Sequence, residues 1–341
     1  MPKTKLGGIK VYKKRVCFFH LCNDGGEALV DICSRIAGDR MNVGLLVHIG
    51  DPGGRKSLTA ASMKSIDAVS VYLLGKLCSS ECNVENTLGD ACRISIFPHD
   101  QKPDVTASLL GLLADNGIKP YAIGSSPSAM TVIVSCADFK RTMERIFDVF
   151  SFHGFDSYEN WQTAYGGQEE SLLKNVRSSF HEEIITIYDF HYRTDMELWS
   201  VKLPLTDLGD FAGLLASLDR QIRMPFLASV SPSSETDIHF SLLFELAHHD
   251  RIEQSLARNL PGFDTHCHGP SAIFFLHGPH FGDRYGIVNA LVKALHKTGI
   301  DLLALSCAVS SISLVVPANE SDRTIQALNS VFQTPTGQLK N

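Results

Sequence analysis

Three stretches of the chain carry residue types at spacings that can do chemistry. Asp264-Thr265-His266-Cys267-His268 sets two histidines one residue apart behind a carboxylate, so both imidazoles can turn toward one metal ion. Gly50-Asp51-Pro52-Gly53-Gly54-Arg55-Lys56-Ser57 is a glycine-rich loop after a strand-like run, and its backbone N–H groups suit an anion. Gly278-Pro279-His280-Phe281-Gly282-Asp283-Arg284-Tyr285-Gly286-Ile287 holds glycines at 278, 282 and 286, which let backbone approach a ligand closely. A helix opening near Gly286 would aim its free N–H groups and dipole at a carboxylate. An amino acid supplies that carboxylate, and Asp283 can receive its ammonium group.

Two of the three lose force on closer reading. The phosphate-loop pattern needs glycine directly before the lysine, where Arg55 stands, and no acidic-ended strand follows to hold magnesium. The histidine pair resembles the D-x-H-x-H stretch of metal-dependent amidohydrolases. In those barrels it ends the first strand, whereas here only 73 residues follow His268, and a barrel needs about 250. Cys78 and Cys82 form a lone C-x3-C pair with Cys92 beyond, without the second tight pair of a structural zinc site. His248, His249 and His280 have no partner set by spacing. No G-x-S-x-G elbow, paired C-x-x-C or aspartate dyad appears. The expectation is a protein without catalysis and without a cofactor.

The elements that must position these residues come from an ordinary globular composition. Hydrophobic residues make up 44% of 341, enough for real cores, and a net charge of −6 argues against a general nucleic-acid binder. Lys3, Lys5, Lys10, Lys13, Lys14 and Arg15 form a basic run with no apolar stretch behind it, read as a solvated arm and not a secretory signal. No stretch approaches the about 18 apolar residues of a membrane span. A cytoplasmic location is expected, with reduced, mostly buried cysteines.

The chain repeats. A shift of 182 residues brings Gly117-Ile118 onto Gly299-Ile300, Leu109 and Leu113 onto Leu291 and Leu295, and Phe150 onto Phe332 without a gap. A shift of 105 places Ala212, Leu214, Leu215 and Leu218 on Ala107, Leu109, Leu110 and Leu113. Each clear copy reads strand, helix, strand, strand, helix. In the copy at 91–155, Cys92 to Phe97 alternates with period two, and Val105, Leu109, Leu112 and Leu113 share a helical face. Adding a closing strand makes a split βαβ, or ferredoxin-like, sandwich. The tail after Phe332 is no strand. The apolar run Ile184 to Tyr188 precedes the third copy's own strand and is expected to close another copy's sheet. Four α/β units are expected, at 12–90, 91–155, 180–250 and 270–335.

Ile273 to Phe332 resembles the ACT domain, particularly the regulatory ACT domains of aspartate kinases. The resemblance rests on Leu276 to Ile287, on Thr298-Gly299-Ile300-Asp301, and on the strand Ser310 to Val316 with its following helix. Asp283 and Gly286 match the family's turn, while Tyr285 stands where proline is common. The family implies tandem ferredoxin-like βαββαβ sandwiches. It also implies an amino acid ligand held between paired units, against this turn and a facing second strand. The implied contacts are Gly278, His280, Phe281, Gly282, Asp283, Arg284, Tyr285, Gly286, Ile287, Asp301 and Leu302. A kinase would need a large catalytic domain with its own phosphate-binding motif, and the repeats already occupy the chain from Arg15. The expected function is therefore a non-enzymatic, amino-acid-binding regulator. Its units would pack by their sheet edges, as a homodimer or with a partner enzyme of amino-acid metabolism. Two alternatives stand beside it: an interaction subunit for a separate enzyme such as an aspartate kinase, and a metal-dependent enzyme using His266 and His268.

Overall fold

A computed structural model of the protein describes residues 3–22, 27–41, 43–50, 57–64, 83–165, 185–232, 236–278, 285–308 and 311–334. After a short strand β1 (Thr4–Leu6), unit one runs β2 (Gly8–Cys22), α1 (Glu27–Gly38), β3 (Val43–Gly50) and β4 (Ser57–Lys64). Unit two runs β5 (Asn83–Phe97), α2 (Pro103–Asp115), β6 (Ala122–Ser125), β7 (Met130–Ser135) and α3 (Phe139–Val149), then β8 (Phe150–Phe152) and α4 (Tyr158–Tyr165). After β9 (Ile185–Thr186), unit three runs β10 (Asp189–Pro204), α5 (Leu208–Ser217), β11 (Phe226–Val230), β12 (Asp237–Glu245) and α6 (His249–Asn259). Unit four runs β13 (Asp264–His277), α7 (Ile287–Lys297), β14 (Ala304–Ala308), β15 (Ser311–Pro317), α8 (Ser321–Asn329) and β16 (Phe332–Gln333).

Every unit has the same strand order, first, third, second: β2-β4-β3, β5-β7-β6, β10-β12-β11 and β13-β15-β14. The second strands then pair antiparallel between units. β3 meets β14, with Ile49 opposite Ala304 and Leu45 opposite Ala308, and β6 meets β11, with Gly124 opposite Ala228. The first strands pair as well, β2 with β5 and β10 with β13. Twelve strands thereby close on themselves. Closure leaves this twelve-stranded sheet without a free edge, so the expected pairing of units by their sheet edges is met inside one chain.

The closing strand of each unit is where expectation and structure part. In a ferredoxin-like sheet the fourth strand lies beside the first. Here that place is taken by a neighbour's first strand, because these strands are long. β10 uses Met196 to Pro204 against β12 of its own unit, and Asp189 to Arg193 against Ile273 to His277 of β13. The closing segments form separate two-stranded parallel ribbons instead. β1 pairs with β8 (Leu6 opposite Phe152) and β9 with β16 (Ile185 opposite Phe332). The run around Ile185 does close another unit, unit four, and the segment before unit one closes unit two. Of the tail read as non-strand, Gln333 joins Phe332 in the ribbon with β9.

Three apolar layers follow from this arrangement. One lies under the helices of units two and three and includes Leu109, Leu113, Phe211 and Phe240. A second lies under α1, α7 and α8 of units one and four and includes Ile32, Leu291, Phe274 and Leu328. The third fills the space between the two sheets with Leu45, Val47, Ile133, Met196, Phe226, Ile273 and Val315. On the paired units α1 packs against α7, and α2 against α5. No helix among the described residues is long and apolar enough to cross a membrane.

Candidate functional site

Gly286 takes a left-handed conformation (φ +84°) immediately before α7, a conformation nearly free for glycine and strained for other residues. The apolar face of α7, formed by Ile287, Val288, Leu291, Val292 and Leu295, then seats the helix on the sheet. This leaves the first-turn N–H groups of α7 without intrahelical partners. They border a cleft between units one and four. Cys33, Ile36, Ala37, Met41 and Val43 line it from unit one, and Tyr285, Gly286, Ile287, Val288, Asn289 and Cys307 from unit four. Ser34 on α1 donates to Asn289 Oδ1 at 3.1 Å, tying the two helices across it. The cleft is narrow, about 20 Å³, room for roughly one water. Burial pushes the Cys33 and Cys307 thiols up to about 12, so at neutral pH both are protonated apolar lining rather than nucleophiles.

Tyr285, Gly286 and Ile287 therefore meet at the cleft, and Gly278 is buried at the end of β13. His280, Phe281, Gly282, Asp283 and Arg284 lie outside the described residues. Asp301 and Leu302 do not join the cleft. They precede β14, and the Gly50 N–H donates to the carbonyl of neighbouring Leu303 at 2.8 Å. Cys307, which does line the cleft, is five residues further on, roughly 16 Å along a strand. The reason is the antiparallel pairing. The second strand facing the turn of unit four is β3 of unit one, entered through Met41 and Val43, and not the unit's own Asp301 to Leu303.

A second, roomier cleft of about 360 Å³ lies where β3 and β4 face β10, β12 and β13. Gly50, Ser57, Ser200, Lys202, His239, Asp264, His266 and His268 line it, with Ile49, Leu58, Val201 and Phe240. The glycine-rich loop read from sequence joins Gly50 to Ser57, and its residues 51–56 lie outside the described residues. His266 Nε2 is 2.7 Å from Asp264 Oδ1, and His268 Nε2 is 2.6 Å from Ser200 Oγ. Their rings stand 6.4 Å apart, and among the described residues neither joins a group of three convergent metal ligands. Cys78 and Cys82 also lie outside the described residues, while Cys92 is buried in β5.

In unit two the corresponding turn is built differently, as its Pro98 to Pro103 sequence suggests. His99 is buried there (2% exposed). Its Nε2 donates to the Ser126 carbonyl at 2.7 Å, and its Nδ1 accepts from the Gln101 N–H at 3.2 Å. Burial lowers its pKa below the ordinary 6.5, and protonation would also cost Nδ1 its acceptor role. An unfolded chain binds that proton near pH 6.5 while the folded one resists it. Stability is therefore expected to be whole above pH 6.5 and to fall as pH drops below that value toward the folded pKa. Denaturant unfolding at pH 7.5, 6.0 and 5.0 should show the decline shrinking in His99→Gln. Parallel declines in the two proteins would remove His99 from the account.

The fold and the paired clefts can be compared with known proteins. The crystal structure of aspartate kinase from Synechocystis matches with a TM-score of 0.74 over 95% of this chain, at 13% identity. The chain has the ACT-type fold of the part of that kinase it matches. It spans 55% of that kinase's length. The ligand-free regulatory subunit of aspartate kinase from Thermus thermophilus matches over 44% of this chain and 100% of its own, with a TM-score of 0.39 and 14% identity. The putative C-terminal regulatory domain of aspartate kinase from Porphyromonas gingivalis W83 matches over 41% and 95%, with a TM-score of 0.30 and 16% identity. No family model matches this ACT-type chain, and neither does any curated protein sequence.

The convergence of three side chains around the buried Glu197 was not read from the sequence. Glu197, His249 and Cys267 lie far apart in sequence but together in space. No spacing signal marks them, because they come from two first strands and a second helix.

Proposed function

We propose that this ACT-type chain is a non-enzymatic regulator that binds a small molecule, an amino acid, in the cleft between units one and four. The observation that carries the reading is the α7 N-terminus at Gly286, opening onto a cleft shared with a second unit across paired β3 and β14 strands. Free N–H groups there suit a carboxylate, and Asp283, adjacent in sequence, would take the ammonium group. A cleft of about 20 Å³ cannot hold an amino acid until α1 and α7 separate. Binding would therefore favour a state in which units one and four pack differently, which is how a module without chemistry transmits a signal. The separated state would be read by an enzyme of amino-acid metabolism.

The test is a thermal-shift screen of the full chain against the twenty amino acids, repeated with Asp283→Ala and Asn289→Asp. One or two amino acids should raise the midpoint, by the equivalent of about 2.7 kcal/mol at a hundredfold excess over the dissociation constant. Both variants should abolish the rise, Asn289→Asp by setting a carboxylate against the ligand's own. A flat screen would sink the sensor reading and leave association with a separate subunit. The larger cleft, lined by Lys202, His239, His266 and His268, is of ligand size and supports a second reading for an anionic small molecule. A shift lost in His268→Ala but kept in Asn289→Asp would place the ligand there.

A further inference from the structure

On the helix-covered face of unit three, three donors of different chemistry converge on one carboxylate. Glu197 of β10 is 1% exposed. Its Oε1 accepts from the Trp199 indole N–H at 2.7 Å. Its Oε2 lies 2.9 Å from His249 Nδ1 and 3.6 Å from Cys267 Sγ, and ligand atoms of the three residues all fall within 4.8 Å of one another. Met196 and Leu198 enter the layer between the sheets, so Glu197 and Trp199 point the other way, toward α6. The pairing of β10 with β13 slips between Glu197 and Trp199, a local irregularity of the kind that re-aims side chains, and Cys267 stands opposite Trp199. His249 is the first residue of α6.

We propose that Glu197, His249 and Cys267 form a transition-metal site of the zinc class, with a fourth coordination position open to solvent. A carboxylate oxygen, an imidazole nitrogen and a thiolate sulfur are a borderline-soft donor set that suits zinc and its congeners. Donors around a tetrahedral zinc sit about 3.3–3.7 Å apart, given bonds of about 2.0–2.3 Å. At Glu197 Oε2 the 3.6 Å approach of Cys267 lies inside that range, and the 2.9 Å approach of His249 lies a few tenths of an ångström below it. The indole N–H holds the carboxylate by its other oxygen, the outer-sphere support such ligands require. A divalent ion with one carboxylate and one thiolate is neutral, which answers the charge buried with Glu197.

The Cys267 thiol donates to the same oxygen that the His249 ring approaches, so both donors face one point. The His249 side chain is 41% exposed and Cys267 is exposed, which leaves an entry path. Binding releases the Cys267 thiol proton to solvent and leaves a neutral His249 ring carrying its proton on Nε2.

Cobalt(II) reports this site directly, whatever the fate of the amino-acid reading. Full-length protein stripped with a chelator and titrated with Co²⁺ should saturate at one ion per chain. Tetrahedral visible bands and a thiolate-to-cobalt charge-transfer band in the near ultraviolet should appear, and Zn²⁺ should bleach both. Cys267→Ser should remove the charge-transfer band, and His249→Gln should weaken binding by about tenfold or more. His266→Ala/His268→Ala should leave the spectrum unchanged. Either a folded wild-type chain without the charge-transfer band or a band that survives Cys267→Ser would overturn the proposal. So would a spectrum lost with His266 and His268.

Discussion

Phe240→Ala is expected to lower the unfolding free energy by about 3–5 kcal/mol, the cost of an emptied aromatic site in a core that cannot collapse. Phe240 is 1% exposed, and its ring centroid lies 4.5 Å from that of Phe211 on α5, itself wholly buried. Collapse is resisted on both flanks. β12 is an inner strand, with Phe240 opposite Val201 of β10 and Ser229 of β11. The truncated site would also loosen α5, which packs on α2 of unit two, so the paired units should weaken together. Urea unfolding measures this as a lowered midpoint with an unchanged slope. A loss below about 1 kcal/mol would mean that α5 does not sit on this sheet face.

The second large effect is expected at Gly124, where β6 lies against β14 and β3 across the closed sheet. A Cβ added to Gly124 on β6 would stand 2.6 Å from Ser306 Oγ, 3.0 Å from Leu45 Cδ1 and 3.1 Å from Val47 Cγ2. These neighbours belong to β14 and β3, so units one and four both reach across to unit two at this point. The interlayer core is partly built from small residues, Ala122, Ala228, Ala304 and Ala308 among them, and it has little room to yield. Gly124→Val should cost about 1–3 kcal/mol through overpacking, although valine is the better strand former. Gly124→Ala carries the same first clash and should already destabilise. Equilibrium unfolding of the pair decides it, and a neutral or stabilising alanine would show that the layers are further apart.

Much of the repeat was readable without coordinates because it rests on local periodicity. Leu109 and Leu113 mark the buried face of α2, and Phe139, Met143, Ile146 and Phe147 that of α3, as their helical spacing requires. Gly117 and Gly299 stop their helices at φ +59° and +66°, the left-handed cap that a glycine after an apolar run announces. Unit one was harder to read because its identity to the other copies is weak, although Gly25-Gly26 stand directly before α1 as Gly286 stands before α7. The extent of β13 was also under-read. Asp264 to His268 continue the strand, because their pairing partners Trp199 to Lys202 lie on another unit, and no local pattern records a partner that distant.

The amino-acid sequence by itself determined the element order, the fourfold repeat and the glycine turn before α7. Each is written within one repeat length, where periodicity and turn chemistry act. Only the tertiary structure decided that unit one pairs with four and two with three, that Asp301 and Leu302 lie at the far end from Tyr285, and that Glu197 meets His249 and Cys267. Those facts depend on which strand edges satisfy one another's hydrogen bonds. A backbone edge carries the same N–H and C=O groups whatever its side chains, so the choice is made by the packing of all four units together.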